Sequence, residues 1–70
     1  MTFYRHYKGG LYELLHEATR ESDLLPMIVY RAASGSVWIR SRDEFFQLIE
    51  VDGMMVRRFA PIVADAVDEL

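Results

Sequence analysis

The side chains best suited to chemistry in this chain are basic groups interleaved with aromatic rings. Arg5, Lys8, Arg31, Arg40 and Arg58 each stand beside, or next but one to, Tyr4, Tyr7, Tyr30, Trp38 and Phe59. A guanidinium stacks on an aromatic face and offers a planar fork to carboxylate or phosphate, so such a set can hold an anion or a peptide. Tyr4, Arg5, Tyr7, Lys8, Tyr30, Arg31, Trp38, Arg40 and Arg58 are therefore the candidate ligand-binding residues. The same residues also have a structural reading. Arginine stems can cover a thin core while their heads pair with some of the 11 carboxylates, with Glu50 and Asp52 as expected partners. The sequence leaves both readings open.

Other constellations are weaker. His6 and His16 are the only side chains whose ordinary titration falls near neutral pH. His6 lies in an aromatic segment and reads as a core or interface histidine satisfied by one hydrogen bond. His16 has no second histidine at helical spacing, so the zinc-protease pattern is missing. The chain has no cysteine, which removes disulfides and thiolate metal sites, and no metal or cofactor is expected. Ser22, Ser34, Ser36 and Ser41 all suit turns or caps, and none lies in a Gly-x-Ser-x-Gly context. Gly9-Gly10 lacks the Lys-Ser/Thr of a phosphate loop. No nucleophile–base pair emerges, so a non-catalytic role is expected.

The elements that must position these residues are short. At 70 residues the chain allows one domain, with a thin core. A hydrophobic content of 51% provides enough side chains to fill that core and argues against disorder. Gly9-Gly10, Ser34-Gly35-Ser36 and Asp52-Gly53 are turn signals, and Asp-Gly between two apolar runs is a strong hairpin signal. Strands are expected near residues 3–7, 11–18, 27–33, 37–40, 48–51 and 54–59. In residues 11–18, Tyr12, Leu14, His16 and Ala18 share one parity, although Leu11, Leu14, Leu15 and Ala18 also fit a helical period. Ser41 and Glu44 have capping-box spacing, which predicts a helical turn over 42–47. Trp38, the only tryptophan, is expected to be buried as a core anchor. Met54 and Met55 are adjacent, so one of them is expected to point outward. Pro61 suits the first turn of a helix, so residues 61–70 read as an acidic tail, a short helix or frayed, after a domain spanning 1–60.

YRHYKGGLYELL at 4–15, IVYRA at 28–32, WIR at 38–40 and VDGMMVRRF at 51–59 together resemble a bacterial family catalogued as domain of unknown function 1653. The resemblance covers residues 4–60. It implies a mainly β fold, a small SH3-like antiparallel barrel with one short helical turn, and favours strand over helix at 11–18. It implies no activity. The chain departs from the family pattern at Arg20–Asp23, at Ser34–Ser36, at Ser41 and at Arg57, so a shared loop specificity does not follow.

Charge and hydropathy narrow the partners. Asp65, Asp68 and Glu69 account for the net charge of -3, and the remaining 8 acidic groups balance the 8 basic ones. A neutral domain with an acidic tail is a poor attractor for bulk nucleic acid, which leaves a protein or peptide partner or a homo-oligomer. No apolar run is long enough to span a membrane, and the N-terminal segment is polar and aromatic, so a cytoplasmic location is the expectation. Two functional classes follow: a binding module for an anionic ligand or peptide, and an assembly module whose Arg and aromatic residues mainly build the fold.

Overall fold

A computed structural model describes residues 2–62. Among these residues, seven strands and one helical turn follow in the order β1 (Thr2–His6), β2 (Leu11–Arg20), β3 (Leu25–Ala32), β4 (Val37–Ser41), α1 (Arg42–Phe45), β5 (Leu48–Val51), β6 (Met54–Arg57) and β7 (Phe59–Pro61). The turn chemistry accounts for the hairpins. At Asp52-Gly53 both residues have positive φ, 52° and 81°, which matches the twist of the flanking strands. The β1–β2 and β3–β4 connections share one geometry. In the first, Gly9 donates to the His6 carbonyl (2.7 Å) and His6 to Gly10 (2.8 Å); in the second, Gly35 donates to Ala32 (2.9 Å) and Ala32 to Ser36 (2.8 Å). The Ser41 hydroxyl accepts from the Glu44 amide at 3.2 Å and starts α1, as its spacing predicts.

The strands form two ladders: a five-stranded antiparallel sheet in the order β4-β3-β2-β1-β7, and the β5–β6 hairpin. The expected small, mainly β domain is present, but its sheet is not closed into a barrel. Arg58 explains the break. Its amide donates to the Gln47 carbonyl beside β5 (2.9 Å), while its carbonyl accepts from the Tyr7 amide beside β1 (3.0 Å). The chain thus changes sheets at Arg58, and the segment expected as one strand, 54–59, divides into β6 and β7. Pro61 ends β7 opposite Tyr4 instead of opening a helix, and Ile62 still donates to the Phe3 carbonyl at 3.0 Å. The rest of the expected tail helix lies outside the described residues.

Register decides the faces. Between Leu14 and His16 the β2–β3 ladder shifts, so one extra residue reverses the parity of β2. Tyr12 and Leu14 pack against the core, whereas His16 and Ala18, read as sharing their face, are exposed. The core itself is small: Ile28, Tyr30, Phe45 and Phe59, with Tyr4, Tyr12, Leu14 and Phe46 packed around them. Phe45 and Phe59 stack at 4.1 Å with 2° between their planes. Tyr4 meets Phe45 edge-on, and Tyr12 and Tyr30 meet Phe59 edge-on. Such pairs add about 0.5–1.5 kcal/mol each beyond the area they bury.

Two further expectations, both about burial, differ from the structure. Trp38 is 54% exposed and does not anchor the core. It lies opposite Tyr30 on β4, which among the described residues is an edge strand of the sheet. Met54 and Met55 are both exposed: as neighbours on β6 they point to opposite faces of the hairpin, and among the described residues neither face is covered at that end.

Candidate anion-binding site

The nine candidate residues do not form one patch. Alternation along the strands places Arg5 and Arg31 on one face of the large sheet, and Tyr4, Tyr30, Trp38 and Arg40 on the other. On the first face Arg31 pairs with Glu13 at 3.2 Å, so its partner is neither Glu50 nor Asp52. Arg5 donates to the Gly9 carbonyl at 2.9 Å and braces the β1–β2 turn. Tyr4 and Tyr30 are largely core residues; the Tyr30 hydroxyl receives Arg40 Nε at a long 3.4 Å. Tyr7 and Lys8 lie in the β1–β2 turn, with the Lys8 ammonium 5.8 Å from the Tyr7 ring centroid. Arg58, at the sheet crossover, donates from Nε to the Glu44 carbonyl (3.1 Å) and from Nη2 to Gln47 Oε1 (3.0 Å). It therefore braces the end of α1, adding a second donor to the Glu44 carbonyl, which also accepts from the Gln47 amide at 3.3 Å.

The structure gathers several of these groups around His6, a residue outside the candidate set. The His6 ring meets Phe59 edge-on at 4.8 Å and lies 4.5 Å from the Tyr7 ring. Its Nδ1 accepts from the Lys8 amide at 3.2 Å, which leaves the proton on Nε2 as a donor. Arg40 stands over the same Phe59 ring, 5.8 Å from its centroid. Burial first, then the charges of Arg40, Arg58 and Lys8, lowers the His6 pKa below its ordinary value. Beside it opens a shallow groove lined by Arg5, His6, Tyr7, Val56, Arg57 and Ala60.

The eight basic side chains thus divide by role. Arg20, Arg31 and Arg42 each pair with a carboxylate: Asp23, Glu13 and Glu17. Arg5, Lys8, Arg40, Arg57 and Arg58 surround His6 or its groove, and among the described residues no carboxylate lies within 4.0 Å of them. Such an arrangement presents hydrogen-bond donors and positive potential with aromatic walls, the requirements for holding an oxyanion. Sequence reading missed His6 and Arg57 as members. The parity His6 shares with Tyr4 places it on the core face, and its opposition to Phe59 depends on the β1–β7 pairing, which no local pattern announces. Arg57 enters because the chain turns between sheets at the next residue. Among the described residues, no three His, Cys, Asp or Glu side chains converge as a metal site, and no helix is long and apolar enough to cross a membrane.

The fold and site define a small antiparallel β domain with a basic, aromatic-walled groove at one end of its main sheet. The chain belongs to the family described as protein of unknown function (DUF1653), whose model matches residues 2–61. No curated protein and no solved structure matches it.

Proposed function

We propose that the domain is a non-catalytic binding module of the bacterial cytoplasm that holds an anionic group of its ligand in the groove lined by His6, Arg5 and Arg57. The ligand's phosphate or carboxylate receives the Nε2 proton of His6 and the arginine forks, while Tyr7 and Val56 contact its apolar part. One observation carries this reading: the five basic groups not engaged in ion pairs among the described residues are those grouped around His6. Like charges brought together repel, and an anion relieves that repulsion. Arg58 serves mainly as the anchor that positions the site, through its bonds to Glu44 and Gln47.

The test is an NMR titration of the His6 ring signals with inorganic phosphate and, separately, with a short acetylated glutamate peptide at low salt. Saturable shifts are expected below about 10 mM ligand, weakening as salt rises. The His6 pKa should rise with ligand. Arg57→Gln and Lys8→Gln should reduce the shifts without moving the melting temperature. His6 signals that ignore both ligands at low salt would refute the reading.

A further inference from the structure

β4 and β7 bound the five-stranded sheet, and the two edges are unlike. β7 has three residues and ends in proline, which blocks pairing. β4 has five residues, Val-Trp-Ile-Arg-Ser, with no lysine, proline or bulge, and its Val37, Trp38 and Ile39 are 55%, 54% and 64% exposed. Its one charge, Arg40, is turned to the core face against Phe59 and Tyr30, and an apolar edge without a lysine, proline or bulge is a template for another strand.

The hydrogen-bond phase of β4 can be followed from the hairpin. Ala32 donates to the Ser36 carbonyl, so Ala32 and Ser36 form a bonded pair. Bonded and non-bonded pairs alternate along an antiparallel ladder. Trp38, opposite Tyr30, and Arg40, opposite Ile28, therefore spend their backbone groups on β3. The amides and carbonyls of Val37, Ile39 and Ser41 point outward. A two-fold axis through Ile39 satisfies all of them: Ile39 bonds Ile39 of a second copy, and Val37 bonds Ser41, with about six bonds in total. The same register sets Trp38 of each copy directly opposite Arg40 of the other at the closer, non-bonded positions. The indole and guanidinium then lie on one face as a cation–π pair, formed twice.

We propose that β4 pairs with β4 of a second copy of this chain, centred on Ile39, to give a continuous ten-stranded sheet. The occupant is a second copy because the strand complements itself in this one register, apolar at the centre and Trp against Arg on either side. The interface is small, so the dimer is a weak one. Arg40 is the one residue shared with the basic groups around His6; the Ile39 variants leave that cluster untouched, so the dimer and the anion site fail separately.

Sedimentation equilibrium of the full chain tests this over protein concentrations from about 1 µM to about 1 mM. Reversible dimerisation is expected, with a Kd of about 10 µM to 1 mM, as suits an interface of this size. Ile39→Lys and Ile39→Glu, each with circular dichroism confirming the fold, should each weaken self-association by about tenfold or more, because like charges meet at the axis. An equimolar mixture of the two should restore the dimer, since only this register brings the two positions 39 together. A wild-type chain that stays monomeric throughout, leaving the edge to some other peptide, would overturn the proposal. So would undiminished dimerisation of Ile39→Lys, or a mixture that fails to pair.

Discussion

In a Phe59→Ala variant the ring that Phe45 stacks upon at 4.1 Å is gone, and with it the edge contacts of Tyr12 and Tyr30 and the seat of Arg40. Phe59 is 1% exposed, so nearly its whole side chain is withdrawn from water. At about 25 cal/mol per Å² over roughly 150–200 Å², the lost transfer energy alone is about 4–5 kcal/mol. Measured losses for large-to-small aromatic changes in cores are about 3–5 kcal/mol. A domain with so few buried side chains has a total stability near the low end of the usual range, about 5 kcal/mol. Phe59→Ala should therefore be largely unfolded in water. Trp38→Ala, truncating a larger ring that is 54% exposed, should cost about 1 kcal/mol or less and leave a cooperative transition. Urea denaturation of both variants, followed by far-ultraviolet circular dichroism, makes the comparison. A Phe59→Ala loss below that of Trp38→Ala would refute the assignment of the core to the Phe45–Phe59 stack.

The remaining predictions are more local. His6 has a lowered pKa in the folded domain, so near pH 6.5 the unfolded chain binds more protons; its contribution to stability is full above that pH and is lost as pH falls towards the folded value. His6→Gln should flatten that part of the pH–stability curve, measured by urea midpoints from pH 7.5 down to about pH 5. Arg20 grips Asp23 through two bonds of 3.0 and 2.7 Å and holds its carboxyl at about 2, so that pair's contribution is present above the ordinary aspartate pKa and disappears as pH falls towards 2; Asp23→Asn should remove this acid dependence. Leu24 closes the β2–β3 turn with φ at 60°, a left-handed conformation that costs a leucine about 1–2 kcal/mol, so Leu24→Gly should raise stability by about 0.5–1 kcal/mol in thermal melts, and a lower melting temperature would show that the exposed side chain contributes contacts of its own.

The local chemistry of the chain was sufficient to place most of its elements. Asp52-Gly53 determines a hairpin because few residue pairs accept positive φ at both positions, and Ser41 with Glu44 determines a helix start because the hydroxyl reaches the third amide on. Family motifs along the chain likewise marked the domain found over residues 2–61. What depended on distance along the chain was legible only in the tertiary structure. The bulge after Leu14 reverses a parity that alternation alone extends to His16, because one unpaired residue leaves no trace in the hydrophobic pattern. Trp38 looks like a core residue in sequence, since apolar neighbours signal a strand but not whether that strand lies inside the sheet or at its edge. The split of the basic residues has the same origin. Arg31 finds Glu13 across a ladder and Arg40 finds Phe59 across the core, contacts set by strand order and by the change of sheet at Arg58. Residue type and spacing fix what a side chain can do, but which charges meet is decided by the packing of distant segments.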